Sequence, residues 1–207
     1  MPKRLHVSAL LMLAATVWGA MLLLNGFAIT PKFFQPFSLV VGVVVLALSA
    51  FDVWLWRVPV LQGWFVKRPH LWGTWRATFQ STWIDEATGE QIGPRSAYAV
   101  IRQTYTQTSL RLLTSESTSE LLVDDIVLGT DGTFRLFGVY RNEPKVAVRH
   151  RSEMHYGAIA LTVYSEPLLR LEGAYWTDRQ TRGDLLLADR KTEEHDSFES
   201  ARLAFND

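Results

Sequence analysis

WGTWRATFQSTW, at residues 72–83, alternates between apolar and polar side chains from Thr74 onward. Successive side chains of a β-strand point to opposite faces, so this pattern is typical of a strand with one buried face. Before Pro69 the chain is continuously apolar instead, and after residue 83 the alternating pattern returns repeatedly. We therefore place the boundary between two kinds of structure near residue 69.

Seven further alternating segments follow, separated by turn signals such as the Gly-Thr-Asp-Gly of residues 129–132. The predicted strands are 97–106, 109–114, 119–128, 133–141, 155–164, 168–177 and 183–188. Eight short strands must close or pack to hide their edges. We predict that residues 69–207 form an all-β domain, an antiparallel up-and-down eight-stranded β-barrel, with a β-sandwich as the alternative. Residues 196–205 predict a short C-terminal helix capped by Asp196 or Ser197.

Two apolar runs precede the strands, at residues 8–29 and 33–51, and neither contains a charged residue. Each is long enough to cross a bilayer as a helix. We predict that residues 1–68 form a two-helix transmembrane hairpin followed by an interfacial linker. A buried helix of a globular protein and a cleaved signal peptide are the alternatives, but a signal peptide does not account for the second run.

The distribution of Lys and Arg predicts the orientation of this hairpin. Lys3 and Arg4 precede the first run, residues 57–68 contain three basic residues, and the tip between the runs holds only Lys32. By the positive-inside rule both termini lie in the cytoplasm. Residues 55–66 are predicted to follow the membrane interface, with Trp54, Trp56 and Trp64 among the headgroups.

The composition excludes several classes of protein. The chain has 207 residues, no Cys and a formal net charge of zero with His neutral, which excludes a disulfide scaffold, a Cys nucleophile, a thiolate metal site and a strongly basic nucleic-acid binder. The charge is unevenly divided. Residues 1–70 contain six Lys/Arg and one Asp, whereas residues 71–207 contain fifteen Lys/Arg and twenty Asp/Glu.

Sequence motifs of catalysis are lacking. The chain contains no P-loop, GxSxG or HExxH motif. His150 and His155 are five residues apart and cannot share one face of a strand, and the adjacent Asp124 and Asp125 point to opposite faces. We therefore predict a protein that is not an enzyme and that has no catalytic residues, no metal and no cofactor.

A ligand-binding rim follows from the up-and-down topology. If the strands alternate in direction, the ends of the odd strands and the starts of the even strands meet at one end of the barrel. That end is rich in hydroxyl, aromatic and amide groups, whereas the other end is apolar, as a ligand cup requires. Trp83, Tyr98 and Thr114 belong to this rim. The predicted binding residues are Ser115, Ser117, Ser119, Tyr140, Asn142, His155, Tyr175, Thr177 and Arg179.

Several short motifs occur in a characteristic order. Gly73-Thr74-Trp75 resembles the GxW signature of lipocalin-type barrels. The other stretches are Arg68-Pro69-His70-Leu71-Trp72, Ile101-Arg102-Gln103-Thr104-Tyr105, the serine-rich junction at 114–119, Tyr140-Arg141-Asn142-Glu143-Pro144, His155-Tyr156-Gly157 and Leu171-Glu172-Gly173-Ala174-Tyr175-Trp176-Thr177. In this order they resemble the transmembrane β-barrel effectors of bacterial CBASS anti-phage systems, the SMODS-associating two-TM β-strand-rich effectors.

The resemblance implies a function. In that family a cytoplasmic barrel binds a cyclic dinucleotide made by a partner CD-NTase, the membrane helices oligomerise, the inner membrane is disrupted and the infected cell dies. It implies a multi-pass protein of the bacterial inner membrane that binds no DNA or RNA. Because the predicted barrel is acidic, local arginines must attract the dianionic ligand, and Arg141, Arg151 and Arg179 are the candidates. A membrane-anchored lipocalin-like carrier of a small apolar ligand and a ligand-free structural adaptor are the alternatives.

Overall fold

The computed structural model describes residues 31–84, 89, 91, 93–166 and 169–207, together with residues 12, 15, 16, 19 and 23. Contacts within the chain divide it into two compact units. Unit one comprises Met1–Val66 with Thr104–Thr106, and unit two comprises Lys67–Gln103 with Gln107–Asp207.

Unit one contains helix α1, Pro31–Val53, which includes the second predicted apolar run. Two 3₁₀ turns follow, at Leu55–Arg57 and Pro59–Leu61. Within the described residues, no helix is found that is both long and apolar enough to cross a membrane. The first predicted helix, at 8–29, falls almost entirely outside the described residues, so the transmembrane hairpin stays a prediction.

The tryptophans after α1 differ in exposure. Trp54 and Trp64 are 68% and 71% exposed, whereas Trp56 is fully buried and lies beside Tyr105, with ring centroids 6.3 Å apart. The expectation that Trp56 lies among headgroups is therefore wrong. A 3₁₀ turn has three residues per turn, so side chains two positions apart point in very different directions. Trp54 and Trp56 consequently cannot share one surface.

Unit two is a closed antiparallel barrel in which each strand pairs with its sequence neighbours and β1 pairs with β8. This confirms the barrel and excludes the sandwich. The strands are β1 Gly73–Ser81, β2 Arg95–Gln103, β3 Thr108–Leu113, β4 Ser117–Leu128, β5 Phe134–Pro144, β6 His155–Tyr164, β7 Arg170–Thr177 and β8 Arg182–Lys191.

The inward face of each strand follows from burial. On β7, Leu171 is buried and Tyr175 packs against the core, and on β6 Ile159 and Leu161 are buried. The odd positions of both strands therefore face inward. The predicted end of the fifth strand at residue 141 is wrong, because β5 continues to Pro144 and pairs there with Ser117 at the start of β4.

One end of the barrel interior is filled by apolar side chains around Trp75. The Trp75 ring is fully buried, and its Nε1 donates to the Leu71 carbonyl oxygen at 2.9 Å. Gln103 holds the incoming chain, because its Oε1 accepts from Leu71 N at 2.7 Å and its Nε2 donates to the Pro69 carbonyl at 2.9 Å. Gly73 has φ +124°, and a Cβ there would collide with the backbone of Lys191. The GxW motif therefore closes this end.

The C-terminal helix α2, Phe198–Phe205, is confirmed, with Ser197 as its N-cap. The Phe205 ring stacks on Tyr98 at 5.4 Å between centroids, and the Tyr98 hydroxyl donates to Asp207 at 2.7 Å. Burial raises the pKa of Tyr98 to about 12. Tyr98 thus faces away from the barrel interior, and its assignment to the ligand rim is wrong. Both faces of β2 are buried, so alternation did not distinguish them.

Candidate functional site

The other end of the barrel interior is an open cavity of about 920 Å³. It lies where β1, β3, β5 and β7 end and β2, β4, β6 and β8 begin, which is the rim predicted from the topology. All nine predicted binding residues line it: Ser115, Ser117, Ser119, Tyr140, Asn142, His155, Tyr175, Thr177 and Arg179. Trp83 and Thr114 line it as well. Drug-sized ligands occupy cavities of roughly 300–1,000 Å³, so a compact dinucleotide fits this volume.

Two tyrosines, on strands separated by β6, line one part of the cavity wall. Tyr140 on β5 lies directly opposite Gly157 on β6, and Tyr175 on β7 lies directly opposite Gly183 on β8. A Cβ on either glycine would meet the ring of its partner tyrosine, so each ring lies directly over a glycine on the barrel wall. This arrangement keeps the centre of the cavity open while exposing aromatic surface to it.

Both phenols are neutral at physiological pH. Burial raises the pKa of Tyr140 above its usual value, and the neighbouring Tyr175 and Asp178 act in the same direction. Burial also raises the pKa of Tyr175, which a hydrogen bond with Ser81 partly opposes. A neutral phenol offers a ligand both a hydrogen-bond donor and an acceptor, in addition to its ring face.

Ser119, Asn142 and His155 form one polar row across three strands. Ser119 pairs with Asn142 in the β4–β5 register, and Asn142 pairs with His155 in the β5–β6 register. The Ser119 hydroxyl donates to Asn142 Oδ1 at 2.9 Å, and Asn142 is only 6% exposed. Because its carbonyl oxygen is occupied, the Asn142 amide can present its N–H groups to a ligand.

Some of the predicted hydroxyl groups serve turns as well as lining the cavity. The Thr114 hydroxyl accepts from Ser117 N at 2.8 Å, which closes the β3–β4 turn. The Thr177 hydroxyl lies 2.7 Å from that of Thr181, across the β7–β8 turn. These contacts fix the rim, so Thr177 has a structural role whether or not it touches a ligand.

The charge of the cavity differs from that of the whole barrel. Its described lining contains three arginines, Arg95, Arg151 and Arg179, and a single carboxylate, Glu116, which leaves two positive charges in excess. Burial lowers the pKa of His155, and the nearby Arg179 adds to this effect, so the imidazole is neutral at pH 7. Local arginines therefore do outweigh the acidic surface inside the cavity.

The structure places two of the three arginine candidates at the cavity. Arg151 and Arg179 line the cavity, whereas Arg141 does not and lies 4.0 Å from Glu143 in an ion pair. Arg141 lies between the inward-facing Tyr140 and Asn142 on β5, so strand alternation directs it outward. Sequence reasoning missed Arg95, because the predicted second strand began at residue 97; extending its alternation upstream by two residues would have included Arg95.

The described residues contain no cluster of three or more His, Asp or Glu side chains that could hold a metal ion. The described lining offers aromatic faces, amide and hydroxyl groups, and guanidinium groups. Such a set is suited to binding an anionic ligand with flat rings.

Comparison with known families bears directly on such a ligand. The family model described as "Cap15, cyclic dinucleotide receptor domain" matches residues 66–189, which include β1 to β7 and most of β8. The chain belongs to this family. Its resemblance to CBASS effectors, inferred from the order of short motifs, is thereby confirmed as membership of the Cap15 type.

A curated relative agrees with the Cap15 assignment. CD-NTase-associated protein 15 of Staphylococcus schleiferi is 27% identical over 135 residues, which cover 65% of this chain and 67% of the relative. The receptor-domain match contains every described residue that lines the 920 Å³ cavity.

Proposed function

We propose that this chain is a CBASS effector whose barrel binds a cyclic dinucleotide in the 920 Å³ cavity. The observation that supports this location is the combination of two tyrosine faces with an excess of two positive charges at the open end of the barrel. A cyclic dinucleotide has two bases and two phosphodiesters, each phosphodiester carrying one negative charge. Two tyrosine faces and a net charge of two in the described lining therefore suit a ligand with two bases and two negative charges.

The proposed contacts follow from the chemistry of the lining. Tyr140 and Tyr175 stack on the two bases, because base–aromatic stacking contributes about 1–3 kcal/mol per base. Arg179 and the other cavity arginines contact the phosphodiesters through charge-assisted hydrogen bonds. The Ser119–Asn142 pair and His155 contact base edges. Binding is the whole function of this site, and the protein performs no reaction on the ligand.

We further propose that residues 1–68 anchor the protein in the bacterial inner membrane as a two-helix hairpin, with both termini in the cytoplasm. The support is the pair of charge-free runs, the positive-inside distribution of Lys and Arg, and the exposed rings of Trp54 and Trp64 that follow α1. In this arrangement the barrel is cytoplasmic and accessible to a nucleotide made by a CD-NTase.

The output proposed for this effector is ligand-driven homo-oligomerisation, inner-membrane disruption and abortive infection. A ligand shifts an equilibrium only through its different affinity for the two states. Driving a switch nearly to completion requires roughly 5 kcal/mol of such preference. Light scattering of the full chain in detergent, with and without the ligand, would measure the change in oligomeric state, and dye release from liposomes would measure membrane disruption.

Calorimetry of the full chain in detergent tests the proposed ligand. The panel comprises cyclic di-GMP, cyclic di-AMP, cyclic GMP-AMP, a linear dinucleotide and a fatty acid. Saturable binding of at least one cyclic dinucleotide in the micromolar range or tighter, with weaker binding of the linear compound, supports the proposal. Binding of the fatty acid alone would indicate a lipocalin-like carrier. If folded protein bound no member of the panel, the remaining explanation would be a structural adaptor. An adaptor would be expected to have a solid barrel, whereas this barrel has an open cavity.

A further inference from the structure

Glu116 connects three segments of the cavity mouth. It lies in the β3–β4 turn, and its carboxylate oxygens lie 2.6 Å from Arg151 Nη2 and 3.8 Å from Arg95 Nη1. Arg95 begins β2, and Arg151 belongs to the connection between β5 and β6. One carboxylate therefore occupies the space between two of the three arginines that line the described part of the cavity.

The main chain around Glu116 is held independently of this carboxylate. The Glu116 carbonyl oxygen accepts from Lys145 N at 2.8 Å, and the next residue, Ser117, pairs with Pro144. The Glu116 side chain itself is 40% exposed. Its ion pairs are consequently of the weak, solvent-screened kind, and removing its charge leaves the backbone of the turn in place.

The carboxylate resembles the ligand group proposed for this cavity. Carboxylates and phosphodiesters are both anions with two oxygens that accept hydrogen bonds from guanidinium groups. The third arginine, Arg179, has no carboxylate partner among the described ion pairs and donates to the Ser152 hydroxyl at 3.4 Å. The mouth thus has one arginine available to an anion and two that are already occupied by an internal one.

We propose that Glu116 occupies the place of one ligand phosphate between Arg95 and Arg151, and that the ligand displaces it on binding. The inference rests on the proposed function, that a cyclic dinucleotide enters this cavity. Displacement requires an anionic group that reaches the Arg95–Arg151 pair while another part of the same ligand is held elsewhere in the mouth. Glu116 thereby favours ligands with two suitably spaced phosphates and disfavours mononucleotides.

Displacement has a mechanical consequence for the rim. In the ligand-free protein the carboxylate ties the β3–β4 turn to the β5–β6 connection through Arg151. A phosphate that replaces it takes over the two arginines and leaves the Glu116 side chain free to turn toward solvent. The ligand then replaces the Glu116 carboxylate as the side-chain link between these segments, while the backbone contacts of Glu116 and Ser117 stay in place.

Glu116→Gln tests the displacement, with affinity measured by calorimetry on the full chain in detergent. The probe is whichever cyclic dinucleotide of the panel binds the wild type. We expect binding to tighten about three- to tenfold, because the competing anion is removed and the arginines are released. An unchanged or weaker affinity would overturn the inference.

Glu143→Gln is the matched control. Glu143 lies near the same end of β5, pairs with Arg149 at 3.4 Å and does not line the cavity. The variant removes one negative charge from the same region without releasing Arg95 or Arg151. Its affinity should stay within about twofold of the wild type, and an increase equal to that of Glu116→Gln would indicate a general charge effect and overturn the inference.

Arg151→Gln, alone and combined with Glu116→Gln, distinguishes two ways in which Glu116 could weaken binding. Glu116 could occupy Arg151, or its charge could simply repel the anionic ligand. If Glu116 acts by occupying Arg151, the gain from Glu116→Gln must shrink once Arg151 is absent. An undiminished gain in the double variant would overturn the displacement. If wild-type protein binds no member of the panel, both the proposed function and this inference fail. If the wild type binds but Glu116→Gln has the same affinity, only the inference is contradicted.

Discussion

The two ends of the barrel interior are formed by the same eight strands but differ in the size of their inward side chains. At the closed end, Trp75, Leu161 and Leu171 fill the space between the strands. At the open end, serines and glycines occupy inward positions, and the two tyrosines lie along the wall. The cavity therefore arises from reduced side-chain volume at one end of a uniform scaffold, while the other end supplies the packing that stabilises it.

Trp75→Ala should produce the largest effect on stability. The ring is fully buried at the closed end, and its loss leaves a cavity and an unpaired Leu71 carbonyl. Replacing a buried aromatic side chain with Ala costs about 3–5 kcal/mol. Chemical denaturation should show this loss. The control is Trp83→Ala at the open end, where the side chain is 42% exposed, and it should lower the free energy of unfolding by less than about 1 kcal/mol. Similar losses at both sites would contradict the division of roles.

Tyr175→Ala, at the open end, should have its large effect on ligand affinity. Losing one stacked base contact is expected to weaken cyclic dinucleotide affinity by about 1–3 kcal/mol, which is roughly five- to 150-fold. Tyr175→Phe keeps the ring and serves as the control, with most of the affinity retained. If calorimetry shows equal affinities for the Ala variant and the wild type, Tyr175 is not a ligand contact.

Gly157→Ala tests how the aromatic wall is positioned. The added Cβ would meet the Tyr140 ring as well as the Trp176 carbonyl, so the ring must swing into the cavity or the strands must separate. We expect affinity to fall about tenfold and the free energy of unfolding to fall by about 1–2 kcal/mol. In the double variant with Tyr140→Ala the two losses of stability should be less than additive, because the collision with the ring is removed. A fully additive loss would show that only the backbone contact matters.

Asp124→Asn should have the smallest effect, and one that depends on pH. Asp124 lies on β4, where burial raises the pKa of its carboxyl to about 6 despite the opposing charge of Arg68, and the nearby Asp125 adds to the rise. Since the folded pKa is above the unfolded value, the stabilisation by the protonated form is complete at low pH and is lost as pH rises from about 4 to 6.

The Asn variant should therefore be more stable than the wild type at pH 7.5, by on the order of 1 kcal/mol after solvent screening. The difference should disappear near pH 4, where both side chains are neutral. Paired urea denaturation curves at the two pH values would measure it. A stability difference that is independent of pH would contradict the raised pKa.

Much of the barrel follows from the sequence because strand alternation is visible wherever one face is exposed. The rim residues Ser119, Asn142 and Tyr175 could be placed together since up-and-down topology brings alternate strand ends to one side. Tyr98 was misplaced because α2 covers the outer face of β2, so inward and outward positions are equally apolar. The sequence also gives no account of β8 beyond residue 188, where Asp189 adopts φ 48° and the strand continues to Lys191.

The electrostatics of the site were harder to predict than its position. Arg95 was missed because the strand boundary was set two residues late, and Arg141 was included although it faces outward. The contact of Glu116 with Arg95 and Arg151 joins three segments distant in sequence, and no local pattern indicates it. Ion pairs of this kind depend on the closure of the barrel rather than on any single strand.

The pairing of β1 with β8 completes a ring of backbone hydrogen bonds. A complete ring offers no strand edge to which another copy could add by backbone pairing. Copies of the described barrel that associate would therefore have to do so through contacts other than the addition of a strand to a sheet edge.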